Sequence, residues 1–359
     1  MKNGVLLIYG LFIAMTGGLI SCEGDQGPIG PQGPPGITTE SSCIECHANS
    51  QKITAKLYQY EHSVHATGGN NSHNATNCAI CHTSQGFVER IANDTNATMA
   101  TVLDPLPPNC YTCHQIHTTY TEADWAFTQD DPVKIWVGGQ TLDFGKGNLC
   151  ISCHQSRPFS PGPADQVPPP AASFNFKPTE IVTADSVNIT TTRYGTHHGP
   201  QGMMLPGLNG YEIPGPLAYE NSAHTVALGN NVKNACITCH MGTVQDGVAS
   251  GGHTFRVISE EGVINTAACA ECHPNANDLR ALVTDRQGQI DARLEELEAL
   301  LIARGKWDPA IEQNAKGKYA EYVAGALFNF RFVAEDKSQG VHNFKYANAL
   351  LVNSIAALQ

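Results

Sequence analysis

The chain has 359 residues, long enough for two or three ordinary domains, yet only 41% of it is hydrophobic and 7% aromatic, which leaves little apolar material for their cores. Its formal charge is −12, with 21 Lys and Arg against 33 Asp and Glu; this excludes a nucleic-acid binder, because a phosphate backbone calls for basic stripes. Thirteen cysteines need an account.

Residues 1–21 read as an export signal: Lys2 provides a positive start, Val5 to Ala14 is largely apolar, and the stretch is too short to be kept as a membrane span. It ends Leu19-Ile20-Ser21-Cys22, which resembles the lipobox of bacterial lipoproteins, whose cysteine is acylated. Cys22 is therefore the expected lipidation site. Residues 22–40 follow as a collagen-like tether, with glycine at every third place from Gly24 to Gly36. Four triplets are too few for a triple helix, so the run reads as an extended spacer of about 40 Å, at roughly 3.1 Å per residue.

Twelve of the cysteines fall in six Cys-x-x-Cys-His motifs: Cys43/Cys46/His47, Cys78/Cys81/His82, Cys110/Cys113/His114, Cys150/Cys153/His154, Cys236/Cys239/His240 and Cys269/Cys272/His273. A disulfide framework gives no reason for a histidine after every second cysteine, and zinc ribbons do not require one. Covalent haem c explains all three residues: two sulfurs attach the porphyrin edge and the histidine ligates the iron. The spacing suits one helical turn, where residues three and four apart share a face. First cysteines lie 35, 32, 40, 86 and 33 residues apart, whereas a domain takes about 100–150. No haem has a domain to itself. The expected fold is that of a multihaem cytochrome c, with short helices and loops wrapped around stacked haems that stand in for the missing apolar side chains.

Four motifs belong to residues 41–155 and two to residues 221–275. Between them, residues 156–220 form a proline-rich insertion and a ligand-bearing segment, since Arg157-Pro158 and Pro168-Pro169-Pro170 cannot continue a helix. Residues 276–359 contain no cysteine and read as a C-terminal α-helical domain. Leu279, Leu282, Val283, Ile290, Leu294, Leu297 and Leu301 recur at helical spacing up to Gly305. Asp308-Pro309 is a suitable cap and first position for a second helix carrying Tyr322, Val323, Ala326, Leu327 and Phe330. A third helical piece follows His342. These stripes are expected to pack on the haem core or on one another; a homo-oligomer through them is the alternative.

Six motif histidines leave nine others, and six-coordinate irons need six of them. His65 and His224 are favoured by a repeat: Ser63-Val64-His65 precedes the Cys78 motif as Ser222-Ala223-His224 precedes the Cys236 motif, with Tyr60-Glu61 matching Tyr219-Glu220. His117 lies three residues beyond His114 and would serve a neighbouring haem. His253 follows two glycines that allow close backbone approach. His342 would tie the C-terminal domain to the core. His198, in preference to His197, completes the distal set, and His62 and His73 read as surface residues. A haem unit so short must share ligands, so His65 is expected to cap a haem other than the one at Cys78 and Cys81.

The segment from Tyr60 to His65 followed by the Cys78–His82 motif resembles the tetrahaem cytochrome family that accepts electrons from hydroxylamine oxidoreductase. The pieces His197-His198-Gly199-Pro200-Gln201, Gly251–Phe255 and Gly340–Asn343 are similar to segments of octahaem and pentahaem cytochrome c families. The resemblance implies stacked haems followed by a helical domain. No Cys-x-x-Cys-Lys motif is present, so no catalytic residue is carried over. The expected function is a hexahaem electron relay, since iron with two histidines has no open position for substrate. Its partners would be other cytochromes or quinol-oxidising membrane complexes, with the lipid anchor holding it to a bacterial outer membrane. The alternatives are a nitrite, hydroxylamine or sulfur-oxyanion reductase with one open haem, and a subunit of a conducting filament.

Overall fold

Short helices form at most of the places where the motif spacing asks for them. The computed structural model describes residues 47, 50–67, 70–157, 186–189, 191–228, 234–244 and 250–359. The expectations for Cys22, Cys43, Cys46, the leader and tether, and most of the proline-rich insertion fall outside those residues.

Helix α1 (Ser50–Glu61) and a single turn, α2 (Val64–Thr67), precede the second motif, which lies on α3 (Thr76–His82). Thr83 ends α3 and caps α4 (Ser84–Asn93), its hydroxyl accepting the Gly86 N–H at 2.9 Å. A Cβ on Gly86 would stand 2.4 Å from the Ala79 carbonyl oxygen, so glycine is what lets the two helices cross closely at the motif. The third motif occupies α5 (Cys110–Cys113), where Asn109 accepts the Tyr111 N–H at 3.0 Å and its own N–H is taken by Thr112 Oγ1 at 2.8 Å. The fourth begins on α6 (Asn148–Ile151), and the fifth follows α7 (Gln201–Met204) and α8 (Ala223–Leu228) on α9 (Ala235–His240).

The fourth and sixth motifs depart from the expectation of one helical turn holding both cysteines: α6 ends at Ile151, short of Cys153, and the 3₁₀ turn of the sixth (Thr266–Cys269) ends at its first cysteine, so Cys272 lies beyond it, on an irregular turn, and is exposed. At the sixth motif Pro274 follows at once and keeps a helix from resuming before Asn275 starts the next one. The turn still keeps the motif together, with the N–H groups of Cys272 and His273 donating to the Cys269 carbonyl at 3.2 and 2.8 Å.

Beyond residue 275 the chain changes character. Asn275 caps α10 (Ala276–Ala303) by accepting the N–H groups of Asn277 and Asp278 at 3.1 and 3.3 Å. Its buried Leu279, Ile290, Leu297 and Leu301 lie on the expected stripe, and the last three join the core formed with α11 (Glu321–Asp336) and α12 (Phe344–Leu358). Helix α11 buries residues on nearly every side, among them Leu327 and Phe332, so it is the centre of this layer.

The expected helix start at Asp308-Pro309 does not occur; α11 begins at Glu321. Three two-stranded ladders are present among the described residues. The first joins β1 (Val133–Lys134) to β2 (Thr141–Leu142). Strand β3 (Ser186–Ile189) pairs antiparallel with β6 (Gly317–Ala320), in the register Val187↔Tyr319, and β4 (Trp307–Asp308) pairs with β5 (Gln313–Asn314). Asp308 caps a turn, accepting the Ala310 N–H at 3.0 Å, while buried Asn314 donates to the Thr191 carbonyl at 2.8 Å and accepts the Tyr194 N–H at 2.8 Å. Pairing to a distant segment outweighs the local cap signal.

Three buried asparagines join this helical layer to the segment that leads into His224. Asn329 accepts the Tyr211 N–H at 2.8 Å and donates to the Tyr211 carbonyl at 2.7 Å; Asn353 does the same for Leu217 at 3.0 and 2.9 Å. Asn343 accepts the Ser222 N–H at 2.9 Å. Each clamp satisfies backbone groups that would otherwise be buried without partners. Gly325 makes room for the same segment, since a Cβ there would lie 2.1 Å from the Tyr211 ring.

The main apolar core belongs to these C-terminal helices and to residues 194–213, together with Ile135, Val137 and Ile189. Near the fourth and fifth motifs the second cluster is only Val133, Phe144, Ile151, Leu205 and Ala235. A segment with several attachment motifs and so few buried apolar side chains needs other apolar matter to hold it together.

Candidate haem-binding sites

The structure sets a second histidine opposite each motif histidine. His47 faces His117 with ring centroids 6.4 Å apart, His82 faces His197 at 6.1 Å, and His114 faces His253 at 6.3 Å. His154 faces His65 at 6.0 Å, His240 faces His342 at 6.2 Å, and His273 faces His224 at 6.2 Å. Two imidazoles on opposite sides of one metal, with metal–nitrogen bonds of about 2.0–2.1 Å and ~1.1 Å from nitrogen to ring centre, stand about 6.3 Å apart. The donor sets therefore fit an iron between each pair.

Every partner comes from outside its motif's own stretch. His65 lies across from His154 and not from His82, while His342 reaches the fifth motif from the turn before α12. The expected partner His198 is not opposite His82; His197 takes that place, and His198, with 74% of its side chain exposed, turns to Glu335 at 2.8 Å. His197 has φ +68°, a left-handed conformation that sends two adjacent side chains in different directions. His73 also lies near His82, at 5.0 Å, too close for two ligands across one metal, and its Nε2 lies 3.5 Å from the Asn70 amide nitrogen. His62 is exposed and hydrogen-bonded through Nδ1 to the Tyr58 carbonyl at 2.7 Å.

Hydrogen bonds at Nδ1 orient the rings. His114 donates to the Trp125 carbonyl at 2.8 Å, His240 to that of Phe255 at 2.9 Å, His224 to that of Val341 at 2.7 Å, and His197 to that of His198 at 3.1 Å. A carbonyl only accepts, so the proton sits on Nδ1 and Nε2 keeps its lone pair for a metal. His154 is held at 3.0 Å by Gln201 Oε1, whose amide is oriented because its nitrogen donates to the carbonyls of Glu335 and Asp336. These acceptors are scattered along the chain and carry no sequence signature. They are the part of the sites that sequence reasoning missed.

Burial keeps most of these rings neutral. It lowers His65 to about 4, aided by the neighbouring His154 and His240. It lowers His253 to about 4, with Lys56 and His114 adding to the effect, and His82 to about 4, with His73, His197 and Arg157 nearby. A neutral imidazole is the form that binds metal. His342 differs: burial opposes its charge, but the Asp336 carboxylate outweighs burial and raises its pKa.

The cysteines of the motifs differ in their surroundings. The thiols of Cys81 and Cys153 lie close enough to interact, which lowers the first and raises the second, as do those of Cys236 and Cys150; in a haem-loaded chain these atoms would be thioethers. Cys110 and Cys272 lie at the surface instead. Phe255, at φ +55°, places its ring 5.1 Å from His65 and 6.0 Å from His253 while its carbonyl holds His240. One residue thus touches the third, fourth and fifth sites. The glycines before it admit protein: a Cβ on Gly252 would stand 2.4 Å from Gln59 Oε1, which accepts the His253 N–H at 3.0 Å.

Among the described residues no three histidines, cysteines or carboxylates gather into a protein-only metal site, and no helix is long and apolar enough to cross a membrane. No family model matches the chain, and no curated protein matches it. Among solved structures, the crystal structure of the outer cell wall cytochrome OcwA is similar, with 20% identity and a TM-score of 0.49. The match covers 85% of this chain and 50% of that one, so the chain spans half the length of that structure.

Proposed function

We propose that this chain is a hexahaem c-type cytochrome that relays electrons. The observation that carries the reading is the coincidence of six Cys-x-x-Cys-His motifs with six facing histidine pairs at 6.0–6.4 Å. Bound haem c supplies reversible one-electron storage at each site. The chain's own residues do the rest. The motif cysteines, exposed Cys110 and Cys272 included, would hold the haems covalently; the histidine pairs would bind the irons and leave no position for substrate, and the Nδ1 acceptors hold the imidazoles in place. Phe255, shared by the third, fourth and fifth sites, and the closeness of Cys236 Sγ to Gly147 just ahead of the fourth motif keep neighbouring sites in contact, as a relay requires.

Pyridine haemochrome analysis of the purified protein is expected to return six haems per chain, matching the six motifs. Electron paramagnetic resonance of the oxidised protein is expected to be dominated by low-spin ferric signals. A substantial high-spin signal that moves with nitrite or hydroxylamine would replace the relay with a reductase.

The same proposal places the protein outside the cytoplasm, anchored through an acylated Cys22 and held off the bilayer by the tether, where it exchanges electrons with other cytochromes or quinol-oxidising complexes. The support is the Leu19-Ile20-Ser21-Cys22 sequence and the lack of any haem role for that cysteine. Cys22→Ala is expected to abolish acyl labelling and release the protein from the membrane fraction. Retention of both in the variant would remove the anchor from the proposal.

A further inference from the structure

The fifth motif differs from the others in what stands behind its second histidine. Where the described residues place a partner at Nδ1 of another paired histidine, that partner is uncharged: the carbonyls of Trp125, Phe255, Val341 and His198, the Gln201 amide, or the Tyr111 hydroxyl. His342 instead donates to Asp336 Oδ1 at 2.7 Å. Asp336 is 1% exposed, and its other oxygen accepts the Ser338 hydroxyl. Among the described residues, His342 is the ion-pair partner of this carboxylate.

A carboxylate at Nδ1 draws the proton toward itself and raises the electron density on Nε2, the atom turned to the metal. Ferric iron carries one more positive charge than ferrous iron, so a richer donor and a nearby buried anion both favour the oxidised state. The position of this site gives the effect a consequence. A Cβ on Gly147, just ahead of the fourth motif, would stand 3.4 Å from Cys236 Sγ of the fifth, and a Cβ on Gly242 would meet Ala268 of the sixth motif's turn at 2.6 Å. The fifth site therefore sits between the fourth and the sixth.

We infer that Asp336 makes the haem of the fifth motif the lowest-potential one of the six, an uphill step that separates the sixth haem from the other four. The inference rests on the paired-histidine reading above. Asp336 acts through His342 and is a positioning residue. Ser338, by sharing the carboxylate's charge, moderates it.

An optical redox titration of the full-length, haem-loaded protein tests this with two variants of opposite sign. Asp336→Asn keeps the side-chain shape and removes the charge; the lowest of the six potentials is expected to move upward while the others hold. Ser338→Ala leaves the carboxylate less shared, and the same potential is expected to move downward. Loss of packing alone would not move one potential in opposite directions. The inference is overturned if the lowest potential stays in place in both variants, or if both shift it the same way. Should Asp336→Asn fail to accumulate, Ser338→Ala decides alone, an unchanged or raised lowest potential overturning the inference. Failure of the underlying reading looks different: the unmodified protein would then show fewer than six haems, or a high-spin fraction, before any variant is made.

Discussion

Replacing His65 with alanine is expected to turn one haem high-spin while all six stay covalently attached. The ring of His65 stands 6.0 Å from that of His154, in the geometry of two imidazoles across one iron. Alanine removes the nitrogen and leaves a gap that water or an added ligand can fill, and a weaker axial field converts low-spin ferric iron to high-spin. Attachment is unaffected, because it depends on Cys150 and Cys153. The high-spin signal should account for about one haem in six, and cyanide should titrate that fraction back to low spin. His62→Ala provides the contrast three residues away: His62 is exposed and bonded to the Tyr58 carbonyl, so every haem should remain low-spin. Six low-spin haems in His65→Ala would remove His65 from the ligand set.

The adjacent pair His197 and His198 is expected to separate sharply under the same measurement. His197→Ala should expose the iron held by His82 and yield a second, independent high-spin species, because the two rings stand 6.1 Å apart. His198→Ala should leave the spectrum unchanged and cost little stability, since the side chain is 74% exposed and, among the described residues, makes a single hydrogen bond, to Glu335. The reverse pattern, with His198 essential and His197 dispensable, would restore the assignment expected from sequence.

Much of the chemistry was legible along the chain because it is local. A Cys-x-x-Cys-His element needs about one turn of helix, and short-range caps supply it: Asn109 with Thr112 at the third motif, and at the second Thr83, whose N–H and hydroxyl both donate to the Ala79 carbonyl. At Cys272, too, the proline two residues on is a local reason that no helix continues. The C-terminal stripe from Leu279 to Leu301 was equally readable, because period 3.6 is a property of the segment itself. The start of α11 was not. Asp308-Pro309 carries a valid helix signal, yet Trp307 and Asp308 pair with Asn314 and Gln313, and Tyr319 pairs with Val187, a contact no local pattern announces.

The repeat around His65 and His224 illustrates the same division. Sequence alone singled out these histidines as parallel elements, and both stand within the first two residues of a short helix, α2 and α8. It also required that ligands be shared, because motifs some 30–40 residues apart leave no room for separate domains. Which histidine meets which motif was decided by the tertiary structure. His253 meets His114 because Gln59 of α1 holds its backbone, His342 meets His240 because α10–α12 bring that turn back to the fifth motif, and His197 replaces its neighbour through one left-handed backbone angle. Covalent attachment is written in adjacent residues and can be read one turn at a time. Axial pairing and the acceptors behind it, Asp336 above all, join residues distant in sequence, and only the packed chain brings them together.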